Sequence, residues 1–495
     1  MRQFTWWLSA FAFVMVVGTA LFLYFAASGT DAAMSEQRFW GGMTKWYVVD
    51  VHVVFGFLLA LAATVHLALR WLGRGEAGAT TPRRRFERIA PAALAVVVGV
   101  LLVQCVIDKH PVLVADVRTT AYPATQAPGH VALTWSEDPR TTQTIQWRTA
   151  PSVSEGTVRY RPAGEDGKDA WQSVDASSGV LEDAYLANDP ANTRHTAVLR
   201  GLSPGTPYVY QAGQGTLWTP EAEFSTAPAD VDAFSFIYMG DVQNGLDEWG
   251  ELIETAYERH EDAAFYIIAG DLVSSGGHRD QWDSFFHNAE GVFARRPLVP
   301  ALGNHDDDDR GSPWMYLRLF ELPDNGPDGF APECAYHFTY ANAFFVVLDS
   351  NQAPSMQTEW LEQQLARSTA TWKFAVYHHP AYSSKSSRDN PEVRTEWCPL
   401  FDEYGVDMAL QGHDHAYLRT YPLREGVAAR SPALGTTYVV SVAGTKYYEQ
   451  DDHDYTEVGF ERVSTYQVID IRGRQLTYRA FDADGRVVDE LVIHK

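Results

Sequence analysis

Cysteine is scarce in this chain: there are three in 495 residues, at Cys105, Cys334 and Cys398. So few thiols exclude a disulfide-built scaffold and a zinc site made of four cysteines. Cys334 and Cys398 either form one disulfide or stay as two buried thiols. Basic charge is also short, with 39 Lys and Arg against 63 Asp and Glu and a net charge of −24. Residues 1 to 110 nonetheless carry a balance of +4, so everything after them holds −28. An exterior that acidic argues against nucleic-acid binding through a basic face.

Long apolar runs are absent after residue 110 but dominate before it. Phe4 to Ala27 and Val48 to Leu72 reach the roughly 20 residues that cross a bilayer as a helix, and Ile89 to Ile107 is just shorter. The second connection carries Arg70, Arg74, Arg83, Arg84, Arg85 and Arg88. By the positive-inside rule that loop is cytoplasmic, so the chain after about His110 is expected outside the cytoplasm as part of a multi-pass inner-membrane protein. His52 and His66 share a helix face about 21 Å apart along the axis. That spacing resembles haem-holding helices of membrane b-type cytochromes, but neither other run offers a facing histidine. No haem on His52 and His66 is therefore expected from this chain alone.

From Val114 to Ala227 short alternating segments are separated by Gly, Pro and Asp turns. Val131 to Trp135, Thr144 to Arg148, Thr157 to Arg161, Trp171 to Val174, His195 to Leu199, Tyr208 to Ala212 and Glu223 to Ser225 make about seven strands. That count fits a β-sandwich. The run Leu202 to Tyr208 resembles the end of a fibronectin type III domain, where a tyrosine hydroxyl pins a corner to the backbone. No group of His, Cys and carboxylates at metal spacing occurs in this region, so it reads as a spacer or docking module.

After residue 233 apolar strands alternate with helical patterns, which predicts an α/β domain to residue 495 with its ligands at the carboxyl ends of strands. The strands end in Gly240-Asp241, Gly270-Asp271, Gly303-Asn304-His305-Asp306, His378-His379-Pro380 and Gly412-His413-Asp414-His415. A glycine before the ligand lets the backbone turn at the sheet edge. Mixed oxygen and nitrogen donors suit two adjacent borderline divalent ions (Mn, Zn or Fe) rather than calcium or a closed structural zinc.

That order of motifs is similar to the metallophosphoesterases, and with the preceding sandwich it resembles bacterial relatives of the purple acid phosphatases. The likeness covers about residues 115 to 495, and Val299 to Asp306 and Gly412 to Pro422 carry most of it. The full expectation is three units: membrane helices in 1–110, a fibronectin type III-like sandwich in 114–227 and a metallophosphoesterase domain in 233–495. The resemblance implies that Asp271 bridges two cations, that Asp241 and His415 complete one site, and that Asn304, His378 and His413 complete the other. His379, the alternative from a Val-x-x-His reading, becomes a pocket residue that touches phosphate. A water activated between the cations would attack phosphorus in line. His305, oriented by Asp306, would protonate the leaving oxygen. Asp307, Asp308 and Asp309 read as a solvated loop.

Two departures stand out. Ser274 occupies the position where purple acid phosphatases place a tyrosine, so no phenolate colour is expected. Gln243 replaces a glycine, and its amide oxygen could serve as a ligand. The implied function is a membrane-tethered, extracytoplasmic phosphomonoesterase acting on a phosphorylated small molecule or lipid. Cleavage of phosphodiesters or of nucleotide and lipid pyrophosphates is the alternative within enzymes. A non-catalytic surface binding module and a redox membrane protein built on His52 and His66 are the readings from other classes.

Overall fold

A computed structural model describes residues 117–165, 170–229 and 232–495. The three apolar runs, with His52, His66 and Cys105, lie outside them. Among the described residues no helix is long and apolar enough to cross a membrane. Arg118 to Lys495 forms one unit.

The sandwich strands are β1 (Gly129–Thr134), β2 (Thr142–Thr149), β3 (Thr157–Pro162), β4 (Gln172–Asp175), β5 (Ser177–Glu182), β6 (Ala191–Arg200), β7 (Pro207–Gln214), β8 (Leu217–Trp218) and β9 (Ala222–Ser225). They form one sheet in the order β1-β2-β6-β5 and a second in the order β4-β3-β7-β8, with β9 also on β7. Ile145, Trp147, Val158, Leu199, Tyr210 and Phe224 fill the space between the sheets. The expected corner is present, because the Ser203 N–H donates to the Tyr208 hydroxyl at 2.9 Å.

The larger domain has two mixed sheets. One follows the order β12 (Leu298–Ala301), β11 (Ala263–Ala269), β10 (Ala233–Met239), β22 (Thr465–Arg472), β23 (Gln475–Asp482) and β24 (Val487–His494). The other runs β13 (Tyr336–Tyr340), β14 (Ala343–Val347), β15 (Trp372–Val376), β16 (Met408–Gln411), β20 (Thr437–Val440), β17 (Tyr417–Thr420) and β21 (Thr456–Phe460). A two-stranded ribbon, β18 (Leu423–Arg424) with β19 (Val427–Ala428), stands apart. Strands β10, β11 and β12 are parallel, as are β14, β15, β16 and β20. Runs such as Ala343–Val347, buried at every position, are what a sheet covered on both faces requires.

Helix α1 (Leu246–Arg259) buries Trp249, Leu252, Ile253 and Ala256, one stripe at helical spacing. Beyond it come α2 (Arg279–Asn288), α3 (Glu290–Phe293), α4 (Tyr316–Leu319), α5 (Ser355–Arg367), α6 (Pro391–Glu396) and α7 (Cys398–Tyr404). The sandwich shares the core of the larger domain: the Trp135 ring lies 5.4 Å from Phe265 and 5.6 Å from Phe338. Cys334 and Cys398 are buried in separate apolar clusters and form no disulfide with each other.

Candidate metal centre

Each sheet of the larger domain delivers one kind of donor. Asp241, Asp271 and Asn304 follow β10, β11 and β12 of the first sheet. His378, His413 and His415 follow β15 and β16 of the second. The two sheet edges meet so that His378 Nε2 lies 3.3 Å from Asp271 Oδ1 and 3.2 Å from Asn304 Oδ1. His413 Nδ1 is 3.0 Å from the same Asn304 oxygen and 3.2 Å from His378 Nε2, and His415 Nε2 is 3.4 Å from Asp241 Oδ1. Asp241, Asp271 and His378 therefore present three ligand atoms within 4.8 Å of one another.

The imidazoles are aimed by their second nitrogens. His378 Nδ1 donates to the Ala269 carbonyl and His415 Nδ1 to the Lys446 carbonyl, both at 3.0 Å, which turns each Nε2 toward the centre. Four of the site residues hold positive φ: Asp241 at 45°, Asp271 at 56°, His413 at 76° and His415 at 45°. Such strain is retained where the surroundings over-determine it, commonly at functional sites. The glycines have a packing reason as well. A Cβ on Gly303 would stand 2.2 Å from Asp271 Oδ1, and one on Gly412 would stand 2.4 Å from Asp241 Oδ2.

The cluster is not electrostatically complete on its own. Asp241 Oδ1 and Gln243 Oε1 are buried and have no hydrogen-bond partner. Burial, opposed by His378 and reinforced by the charge of Asp271, pushes the Asp241 carboxyl well above the carboxylate range. Burial likewise drives the His415 imidazole down to about 4, which keeps it neutral. Burial also lowers His413, whereas His378, despite its burial, is raised to about 10 by the Asp271 carboxyl beside it. Acidic oxygens and imidazoles thus compensate one another only in part, around a volume whose donors fit divalent cations.

Several expectations are corrected. Asp306 does not orient the His305 ring. Its fully buried carboxylate instead accepts from the N–H groups of Asp271 at 2.9 Å, Leu272 at 2.8 Å, Val273 at 3.2 Å and Gly303 at 2.8 Å, tying the β11 and β12 loops together. His305 Nδ1 donates to the Ser274 carbonyl at 2.9 Å. Asp307 is half-buried rather than solvated, and burial with neighbouring Asp349 raises its carboxyl to about 8. Asp308 caps its own loop by accepting from Arg310 and Ser312 N–H groups, and Asp309 is exposed.

His379 is part of the cluster's edge: it offers a nitrogen within 4.8 Å of ligand atoms of His378 and His413, its Nδ1 is 2.9 Å from Ser350 Oγ and its ring is 4.3 Å from that of His413. Gln243 is drawn in: its Nε2 donates to Asp271 Oδ2 at 2.7 Å and stands 3.5 Å from His415 Nε2. Sequence reasoning missed the clamp on the histidine loop. Buried Asp414 accepts from Ser384 N at 2.6 Å and Arg388 Nε at 2.8 Å, and Arg388 Nη2 donates to the His413 carbonyl at 2.8 Å. It also missed Tyr448, whose ring covers His415 at 4.7 Å. The aspartate inside Gly-His-Asp-His was the one available signal for the clamp.

Comparison with known proteins agrees with this architecture. Residues 128–226 match the model of the purple acid phosphatase N-terminal domain, and residues 234–417 match that of the calcineurin-like phosphoesterases. An uncharacterized protein of Mycobacterium tuberculosis is 27% identical over 350 residues, which cover 61% of this chain and 64% of that protein. The chain thus spans less than two thirds of that relative. The Arabidopsis thaliana protein named probable purple acid phosphatase 20 is 26% identical over 305 residues, 59% of this chain and 68% of its own length. The structure of purple acid phosphatase PPD1 from yellow lupin shares the fold, with a TM-score of 0.65 at 20% identity over 76% of this chain and 75% of that one. Since the two models match consecutively, sandwich first and phosphoesterase second, the chain belongs to the purple acid phosphatase-like metallophosphoesterases.

Proposed function

We propose that the protein is a dinuclear-metal phosphoester hydrolase that acts chiefly on phosphomonoesters. The observation that carries this reading is the buried Asp241 Oδ1, which accepts no hydrogen bond and lies 3.4 Å from Nε2 of the neutral His415 imidazole of the opposite sheet. Asp241, His415 and Gln243 would hold one cation, Asn304, His378 and His413 the other, with Asp271 between them. A half-turn of the Gln243 amide would put its oxygen where Nε2 now sits, 2.7 Å from Asp271 Oδ2, an assignment that hydrogen-bond geometry alone leaves open. Two divalent cations supply Lewis acidity that acidifies water and neutralises phosphate charge.

The protein's own groups supply the rest. His305 gives its Nδ1 proton to the Ser274 carbonyl, so Nε2 is the atom that delivers a proton to the leaving oxygen. His379, held by Ser350, offers its other nitrogen to a phosphate oxygen. The arginine-rich loop of the N-terminal region supports a tethered domain outside the cytoplasm, and protease access in intact spheroplasts tests it. Ser274 in place of a tyrosine and the presence of Gln243 favour a second reading, cleavage of diesters or pyrophosphates. Rates on p-nitrophenyl phosphate and bis(p-nitrophenyl) phosphate after reconstitution with Mn, Zn or Fe separate the two. A faster monoester is expected, and a faster diester reverses the assignment.

A further inference from the structure

We propose that the β-sandwich is part of the device that positions His305, and that Gln281 is the positioning residue through which it acts. This rests on the reading of His305 as the group that protonates the leaving oxygen. The sandwich and the metal centre share no ligand, but α2 touches both with different faces.

One face of α2 belongs to the sandwich. Arg279, Asp283 and His287 recur at intervals of four, so they share a stripe. Arg279 is fully buried, with Nη2 3.0 Å from Asp189 Oδ2 and donating also to the Asp189 carbonyl. Asp283 bonds the buried Arg148 of β2, which also reaches the Tyr122 carbonyl. His287 stacks on the Tyr122 ring at 3.8 Å. At the helix start, Asp280 accepts from Arg118 at 2.6 Å. A helix fixed by three consecutive turns in this way cannot slide along the sandwich without exposing or unpairing buried charge.

The other side of α2 holds the loop that follows Asp271. Gln281 Oε1 accepts the N–H groups of both Ser274 and Ser275, each at 2.9 Å, and Trp282 Nε1 donates to the Gly276 carbonyl at 2.8 Å. This loop in turn grips His305 twice. The Ser274 carbonyl accepts the Nδ1 proton, and Gly276 N donates to the His305 carbonyl at 2.7 Å. A Cβ on Gly276 would fall 1.7 Å from the Asp306 carbonyl oxygen, so the loop is seated as closely as backbone allows. Ser274 Oγ also donates to the Gln243 carbonyl at 3.0 Å. The serine at the family's tyrosine position is therefore a junction joining α2, His305 and the Gln243 backbone. Gln281 is the only side chain that satisfies two successive N–H groups of this junction among the hydrogen bonds of the described residues.

A shift of about 1 Å in a proton donor lowers turnover while leaving phosphate binding intact. The test uses the full-length, metal-reconstituted protein and a series from p-nitrophenyl to phenyl to alkyl phosphate. Gln281→Leu should lower kcat on the alkyl ester by about tenfold more than on the p-nitrophenyl ester, with KM little changed. Gln281→Glu should restore the ratio, because a carboxylate oxygen accepts the same two N–H groups. Replacing the charged pair by an apolar one, Arg148→Met with Asp283→Leu, should reproduce the Gln281→Leu pattern if the sandwich is the anchor. Equal loss on all esters, a rise in KM alone, or no rescue by Gln281→Glu would overturn the positioning role while leaving the hydrolase reading intact. Wild-type protein that hydrolyses none of the esters overturns both.

Discussion

His195 in the sandwich and His378, His413 and His415 in the phosphoesterase domain are all imidazoles inside the protein, yet their surroundings are opposite. His195 has no exposed surface; its Nε2 meets Thr149 Oγ1 and its Nδ1 meets Ser178 Oγ, both at 2.7 Å, while Trp147 stacks on it at 5.1 Å. Every polar atom of that ring is answered by the protein. In the candidate metal centre His378 Nε2 and His413 Nδ1 face each other at 3.2 Å, and Asp241 Oδ1 accepts no hydrogen bond. A satisfied buried histidine is core; a crowd of buried donors left unanswered by the protein marks a place built for an ion. Burial by itself separates the two regions poorly, and hydrogen-bond satisfaction separates them well.

The largest predicted effect tests the unanswered side. Asp271→Asn should reduce turnover of p-nitrophenyl phosphate on the order of 10³-fold, about 4 kcal/mol of transition-state stabilisation, even in excess metal. Retained turnover would mean that the central carboxylate is not shared. Asp241→Asn should change sign with metal. Without metal it relieves the cost of holding a buried carboxyl in its protonated form and should raise stability by about 2 kcal/mol, whereas with metal present it should lower both stability and occupancy. Urea melts with and without chelator read both signs.

On the satisfied side, the pH response isolates His195. Burial, then the nearby Arg194 charge, lowers its pKa to about 4, so the unfolded chain takes up a proton first as pH falls. Its contribution to stability is complete above about pH 6.5 and is lost as pH falls from there toward 4. The difference in urea midpoint between wild type and His195→Asn should therefore shrink over that window, and a constant difference would contradict a neutral core histidine. The smallest effect is at the corner: Tyr208→Phe removes the acceptor of the Ser203 N–H and should cost about 1 kcal/mol in the same assay.

What the sequence made legible follows the same division. Buried parallel strands are apolar at every position, so Ala263–Ala269 and Ala343–Val347 stand out, and the glycine-led polar residues after them mark the sheet edge. By contrast β5 is exposed at nearly every position and shows no alternation to read. Pro391 to Tyr404 reads from its sequence as one helical pattern but forms two helices that part at Trp397, because Pro399 has no N–H to continue α6 and sits instead in the first turn of α7. Gln281 to Ala294 likewise reads as one helical pattern but divides at Ala289 into α2 and α3. Asp306 was misread because its neighbour in the chain is His305, whereas three of its four partners are backbone N–H groups more than thirty residues away. Gln281 and Tyr448 carry no local motif, and only the fold brings them to the centre.

The most direct test of a cation pair at the meeting of the two sheets is metal content of the purified full-length protein by elemental mass spectrometry, with p-nitrophenyl phosphate turnover before and after chelation. The arrangement of Asp241, Asp271, Asn304 and the three histidines predicts about two metal ions per chain. It also predicts turnover that chelation abolishes and metal restores. A folded protein that stays metal-free and inactive after exposure to manganese, zinc and iron would contradict it and favour a non-catalytic binding module.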